Sequence, residues 1–228
     1  FGKTLNFERK TFFDEAGSYL TPTGFLWARC EGGVEDKGQF DKVEPVLSGK
    51  SASCMIRKSA FVEAGMFDES YEILGEETDL AWRVWLKGWK VLFAPESVAF
   101  HKFNTRFKPV DFYIPRRVYF NGSRNYLSML ITNLEYRNLI FPLVGQCIVW
   151  FVAAMGMFLT WKFEAGYFIL RGLIHPFLNW KNLIHKRKKV QATRKVSDKD
   201  LFPFILRRPP LSYYVKRFFH YIHHARHG

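Results

Sequence analysis

Read for the spacing of its apolar side chains, the chain divides into a first half of short mixed segments and a second half of long apolar ones. Residues 77–87 carry Leu80, Ala81, Val84 and Trp85 along one helical stripe, with Asp79 and Arg83 four apart and Gly88 as a stop, which predicts a helix. A shorter helix is predicted over 59–65, with Ser59 as N-cap and Gly65 as its end. Residues 43–57 alternate loosely and finish in small side chains, predicting a buried strand with close backbone approach at Gly49. Further strands are predicted at 25–29, 89–93 and 97–101, the last two separated by Pro95. Gly32-Gly33 and Asp36-Lys37-Gly38 are turn chemistry. Together these elements predict a mixed α/β domain.

The second half changes character at Leu139. Residues 139–161 (LIFPLVGQCIVWFVAAMGMFLTW) run for 23 positions without a charge, and about 20 apolar residues suffice to cross a bilayer's hydrocarbon as a helix. A buried core helix normally keeps a polar stripe, whereas this one offers only Gln146 and Thr160. Trp150, Trp161, Tyr136 and Tyr167 suit the interfacial preference of amphipathic rings. Residues 163–180 are apolar as well but contain Glu164, Arg171, His175 and Pro176, so they predict a second span or an interfacial helix.

Charge sharpens this picture. The formal net charge is +13, divided unevenly: residues 1–101 hold 12 Lys and Arg against 16 Asp and Glu, and residues 102–228 hold 22 against 5. An acidic half joined to a basic, aromatic-rich half needs an anionic partner. The uncharged run makes that partner a membrane, and no RNA-binding or helix-turn-helix signature supports nucleic acid. Basic clusters flank the apolar region at 102–124 and 181–195. Because Lys and Arg stay cytoplasmic, an even number of crossings or an in-plane anchor on the cytoplasmic face is expected. Cys30, Cys54 and Cys147 stand far apart with no CxxC spacing, which excludes a zinc knuckle or a disulfide framework. The chain opens on Phe1 in what reads as the middle of a domain, so an upstream segment is expected.

One succession of motifs goes further. Asp36-Lys37-Gly38-Gln39-Phe40-Asp41 is followed by Ser48-Gly49, Met55-Ile56-Arg57-Lys58 and Gly65-Met66-Phe67-Asp68-Glu69. Then come Glu76-Glu77-Thr78-Asp79-Leu80-Ala81-Trp82-Arg83, Gly88-Trp89-Lys90, Pro95 and His101. In order and spacing this resembles the family 2 glycosyltransferases of the rhamnosyltransferase-like group. Arg124-Asn125 and Asn133 extend the resemblance toward the apolar region.

The resemblance implies the C-terminal, acceptor-side half of a GT-A (nucleotide-diphospho-sugar transferase) domain over 1–110, followed by a helical membrane anchor. A juxtamembrane helix is expected over 111–138, the anchor over 139–180, and a basic cytoplasmic tail over 181–228. It implies inverting transfer of a hexosyl or rhamnosyl group from a nucleotide-sugar donor to a lipid-linked saccharide or cell-surface glycan precursor. The rival from another class is a non-catalytic membrane-binding module. Glu77 stands where the family has its catalytic base, with Glu76 beside it, and general-base chemistry needs such an aimed carboxylate. Capping the helix macrodipole is the bland alternative, adopted for Asp79. Gly49 is expected to let the donor sugar approach, Asp68 to bind an acceptor hydroxyl or cap its own turn, and Trp82 to stack on a sugar ring or pack in the core. The family's Mg²⁺ or Mn²⁺ is held by an Asp-x-Asp motif expected upstream, with His101 as a further candidate ligand. Residues 1–228 by themselves are expected to be inactive.

Overall fold

The computed structural model describes residues 1–30, 34–102, 116–210 and 212–213. Five strands come first: β1 (Gly2–Asn6), β2 (Phe13–Glu15), β3 (Ser18–Leu20), β4 (Leu26–Ala28) and β5 (Glu44–Pro45). Helices α1 (Lys58–Glu63) and α2 (Glu76–Leu86) precede the last strand, β6 (Leu92–His101). Among the described residues, the remaining elements are helical: α3 (Asn121–Asn133), α4 (Tyr136–Leu159), α5 (Phe163–Leu178), α6 (Trp180–Ala192) and α7 (Asp198–Ile205).

A mixed four-stranded sheet runs in the order β2-β1-β6-β5, with β1 parallel to β6 and the outer pairs antiparallel. Strands β3 and β4 form a separate hairpin. The two strands expected around Pro95 are one. β1 pairs with Ala94 and then with Val98, so Pro95 and its neighbours bulge out of the ladder and pairing resumes beyond them. A residue without an N–H is tolerated at such a bulge. The strand expected over 43–57 is mostly irregular: β5 pairs with β6, Ser48 forms an isolated bridge with Ser18, and Val46 to Gly49 continue as buried chain. Helix α1 starts one residue earlier than expected, on an extended Arg57, so Ser59 lies inside it rather than capping it. The Gly32-Gly33 turn lies outside the described residues.

Helix α2 is buried along most of its length, because Trp82 and Leu86 face Phe13, Val46, Leu47 and Phe93 in the main core. The Trp85 indole donates to the Val46 carbonyl (2.9 Å), and Thr78 Oγ1 meets Ser48 Oγ (3.0 Å). These two bonds fix α2 along the irregular chain after β5.

The same core takes in Met129, Leu130 and Ile131 of α3, Leu183 of α6, and Leu201 and Ile205 of α7. Residues 181–206, expected as part of a basic tail, therefore pack into the same core as the strands and α2. The cause is hydrogen bonding as well as burial. Arg187 is buried and donates to the carbonyls of Ile131 and Leu134, which end α3. Asp198 is buried, accepts from the Glu135 amide (2.8 Å) and Asn138 (2.9 Å), and pairs with Arg194. The last part of the expected tail and residues 111–115 of the expected juxtamembrane helix lie outside the described residues.

Helices α4 and α5 form a hairpin through a three-residue turn. The buried positions of α4, among them Leu139, Pro142, Gln146, Trp150, Ala153 and Met157, recur every three or four residues and face the protein. Its other face is Ile140, Phe141, Val144, Ile148, Phe151 and Val152, all exposed. Helix α4 is long and apolar enough to cross a membrane.

Candidate active site

Glu76 and Glu77 begin α2 because the chain before them is forced into a tight left-handed turn: Leu74 has φ 67° and Gly75 φ 93°. A non-glycine residue in that region is strained, and the surroundings hold it there. Asn125 of α3 donates to the carbonyls of Ile73 (2.8 Å) and Leu74 (2.7 Å). Its own oxygen accepts from Arg124 Nε (2.8 Å). One turn into α2, Asp79 is buried between Arg83 (2.8 Å) and Asn133 (2.9 Å), and Arg83 also donates to the Ala64 carbonyl. Asn125 and Asn133 thus clamp the loop and first turn that carry the glutamate pair. Asp79, assigned to the helix dipole with Arg83 as partner, has that partner and one more from α3.

Burial pushes the Glu77 carboxyl up to about 8, helped by the charge of Glu76 and, more weakly, by that of Glu15. Among the described residues, one buried oxygen of Glu76 and one of Glu77 have no hydrogen-bond partner. A buried carboxylate oxygen left so is costly unless a ligand supplies a donor. The pair is therefore set to take a proton or a hydroxyl.

Glu77 stands at the polar end of a cavity of about 460 Å³. Most of its wall is apolar: Phe25, Tyr126, Met129, Val149, Trp150 and Ala153. The last three belong to α4, so the cavity runs from Glu77 to α4.

Asp14 and Glu15 on β2 were not singled out in the sequence, and the fold brings the charge of Glu15 within reach of Glu77. Asp14 accepts from Lys50 Nζ (2.5 Å) and meets His101 Nδ1 (2.7 Å). Burial raises the Glu15 carboxyl, while Ser18 and Lys50 oppose that shift. Two adjacent acids in a three-residue strand gave no distinguishing signal.

The other expected residues are dispersed. Trp82 is fully buried in the core, so it packs there and offers no face to a sugar. Gly49 is buried too, and a Cβ on it would press on the Phe1 side chain (2.8 Å), which makes its smallness a packing requirement. Asp68 does cap its own turn through the Ser70 amide (2.9 Å), and it pairs with Lys186 in a second cavity (2.8 Å). Among the described residues, no three His, Cys, Asp or Glu side chains converge on a point that could hold a metal ion. His101 is bound to a carboxylate already paired with lysine, so these residues do not by themselves fit a divalent cation.

No curated protein and no solved structure matches the chain. The model of the glycosyl transferase family group 2 matches residues 37–181, well over half of the sequence, a stretch that takes in the glutamate pair, the clamping asparagines and the α4–α5 hairpin. With its paired acids at a helix start and its matched length running into the apolar hairpin, the chain belongs to glycosyl transferase family group 2.

Proposed function

We propose that this chain forms the acceptor side of an inverting glycosyltransferase whose acceptor is a lipid-linked saccharide and whose donor is a nucleotide sugar. In this reading the acceptor hydroxyl gives its proton to Glu77 as its oxygen attacks the anomeric carbon. The bond from that carbon to the nucleoside diphosphate breaks on the opposite face, so one C–O bond replaces another and the configuration inverts. The observation that carries the proposal is the apolar cavity joining Glu77 to α4, since a lipid-borne acceptor needs its chain on the membrane side and its hydroxyl at the base. The raised Glu77 fits a base working near neutral pH.

The test is Glu77→Gln in the enzyme's natural full-length form, with Glu76→Gln as its control. A general base contributes about 10²–10⁴ in rate, so Glu77→Gln should lower kcat by that order with donor binding intact. Glu76→Gln should be milder, and by removing the neighbouring charge it should move the acid limb of the kcat/KM profile to lower pH. Near wild-type transfer by Glu77→Gln would show that the acidic pair is structural. Loss in Glu76→Gln alone would move the base by one residue.

A further inference from the structure

A second cavity, of about 370 Å³, opens on the other side of Asn125. Its charged lining is unbalanced: Arg124 from α3 and Lys186 and Lys189 from α6 face a single carboxylate, Asp68, with His175 of α5 and His185 of α6 beside them. The cations are held in place. Arg124 donates to the Ser70 carbonyl (2.7 Å) and lies over the Phe120 ring (5.1 Å). Lys186 donates to both oxygens of Asp68 (2.8 Å each) and to Ser70 Oγ (2.7 Å). Lys186 and Lys189 are one turn apart on the same side of α6, and Asn179 and Asn182 add amide groups at the rim.

Beside that rim the surface turns apolar. Ile174, Phe177, Leu178 and Trp180 are exposed, Leu178 at 79 %, and they alternate along the helices with the cavity residues His175, Pro176 and Asn179. Aliphatic chains would lie on the first set only if their polar end reached the second. From this juxtaposition we infer that the cavity between α3, α5 and α6 binds the phosphate headgroup of an anionic membrane lipid, with Arg124, Lys186 and Lys189 as its cationic partners. Charge-assisted bonds from Arg and Lys suit a phosphate, and Asp68 holds the lysine in register until the anion arrives. The inference rests on the membrane seating of the α4–α5 hairpin and is independent of transfer at Glu77.

The experiment is flotation of the protein with phosphatidylcholine vesicles carrying either phosphatidic acid or oleate at matched surface charge. The affinity ratio between the two cancels general attraction to a negative surface. For the wild type we expect a ratio of about tenfold, the size of one charge-assisted bond. It should fall to near one in K186Q/K189Q and survive in K181Q/K188Q, which removes the same charge outside the cavity. K186R/K189R should retain it. A ratio of one in the wild type, or equal losses in both glutamine variants, would overturn the inference. So would release from phosphatidic acid vesicles by millimolar inorganic phosphate, because the ligand would then be a soluble phosphate. E77Q should bind like the wild type, so failure here and failure of the transfer reaction remain distinguishable.

Discussion

The Glu77 carboxyl is pushed up to about 8 because it is buried and a second acid stands directly before it, so it becomes free to take a proton only as the pH rises toward that value. That has a measurable cost in stability. Between the ordinary glutamate range and about 8, the unfolded chain has released a proton that the folded chain still binds, so stability falls as pH rises through this window. Glu77→Gln cannot ionise and escapes the penalty. Its melting temperature should match the wild type near pH 4 and exceed it by several degrees at pH 8, with no further gain above. A pH-independent difference in thermal scans would contradict this. Met66 offers a second residue-scale test. Its φ is 58°, a left-handed conformation that favours glycine. A left-handed conformation costs a non-glycine residue about 1–2 kcal/mol, part of which glycine returns through the freedom of its unfolded chain. Met66→Gly should therefore stabilise the fold by about 0.5–1 kcal/mol, read as a Tm rise of about 1–4 °C. The glutamate pair was legible from motif order alone. The burial of Trp82 and the salt bridge of Asp68 were not, because neither follows from the residues next to them in sequence.

At the scale of elements, amphipathic periodicity located α2 to within one residue at each end, since its stripe and its closing Gly88 are local features. The β6 strand was split by Pro95 in the sequence reading because the bulge that accommodates a proline depends on the partner strand β1. Helix α3 shows most clearly what spacing hides. It is the element on which α2, α4, α5 and α6 all pack, and its contact with α5 leaves no room for a side chain at Gly172. A Cβ on Gly172 would overlap Ser123 Oγ and the Phe120 carbonyl, and Ser123 also bonds the Ile169 carbonyl (3.1 Å). Gly172→Ala must push α5 away from α3, and overpacking of this kind costs about 1–3 kcal/mol. Gly156, with open space around its Cβ position, is the control: Gly156→Ala should leave the denaturation midpoint unchanged or raised, while Gly172→Ala lowers it.

Taken whole, the molecule limits the ways its hairpin could meet a membrane. Helices α2 and α3 before the hairpin and α6 and α7 after it share one core, so both ends of the hairpin lie on one side of any bilayer. An even number of crossings, or none, follows. The first part of α4 also packs on the body, with Gln146 bonded to the Thr23 carbonyl (3.4 Å) and Pro142 near Gly24. A 16-residue α5 spans only about 24 Å, short of the roughly 30 Å of a bilayer's hydrocarbon. We therefore expect shallow insertion of the exposed apolar face. Binding of this kind is insensitive to salt, whereas attraction between exposed charges fades once the Debye length shrinks to about 3 Å at 1 M. The protein should stay with membranes through a 1 M salt wash, and release by that wash would make the basic residues, not the hairpin, its anchor. The sequence by itself determined the family motifs, the acidic pair, the α2 helix and the uncharged run, because each is written in neighbouring residues or in a helical repeat. Only the tertiary structure decided that α6 and α7 share the core of the first half, that Asn125 and Asn133 clamp the start of α2, that Glu15 stands near Glu77, and that an apolar cavity connects Glu77 to α4. Those depend on contacts between residues 50 or more positions apart, and a chain carries no local record of which distant side chain will satisfy a buried charge.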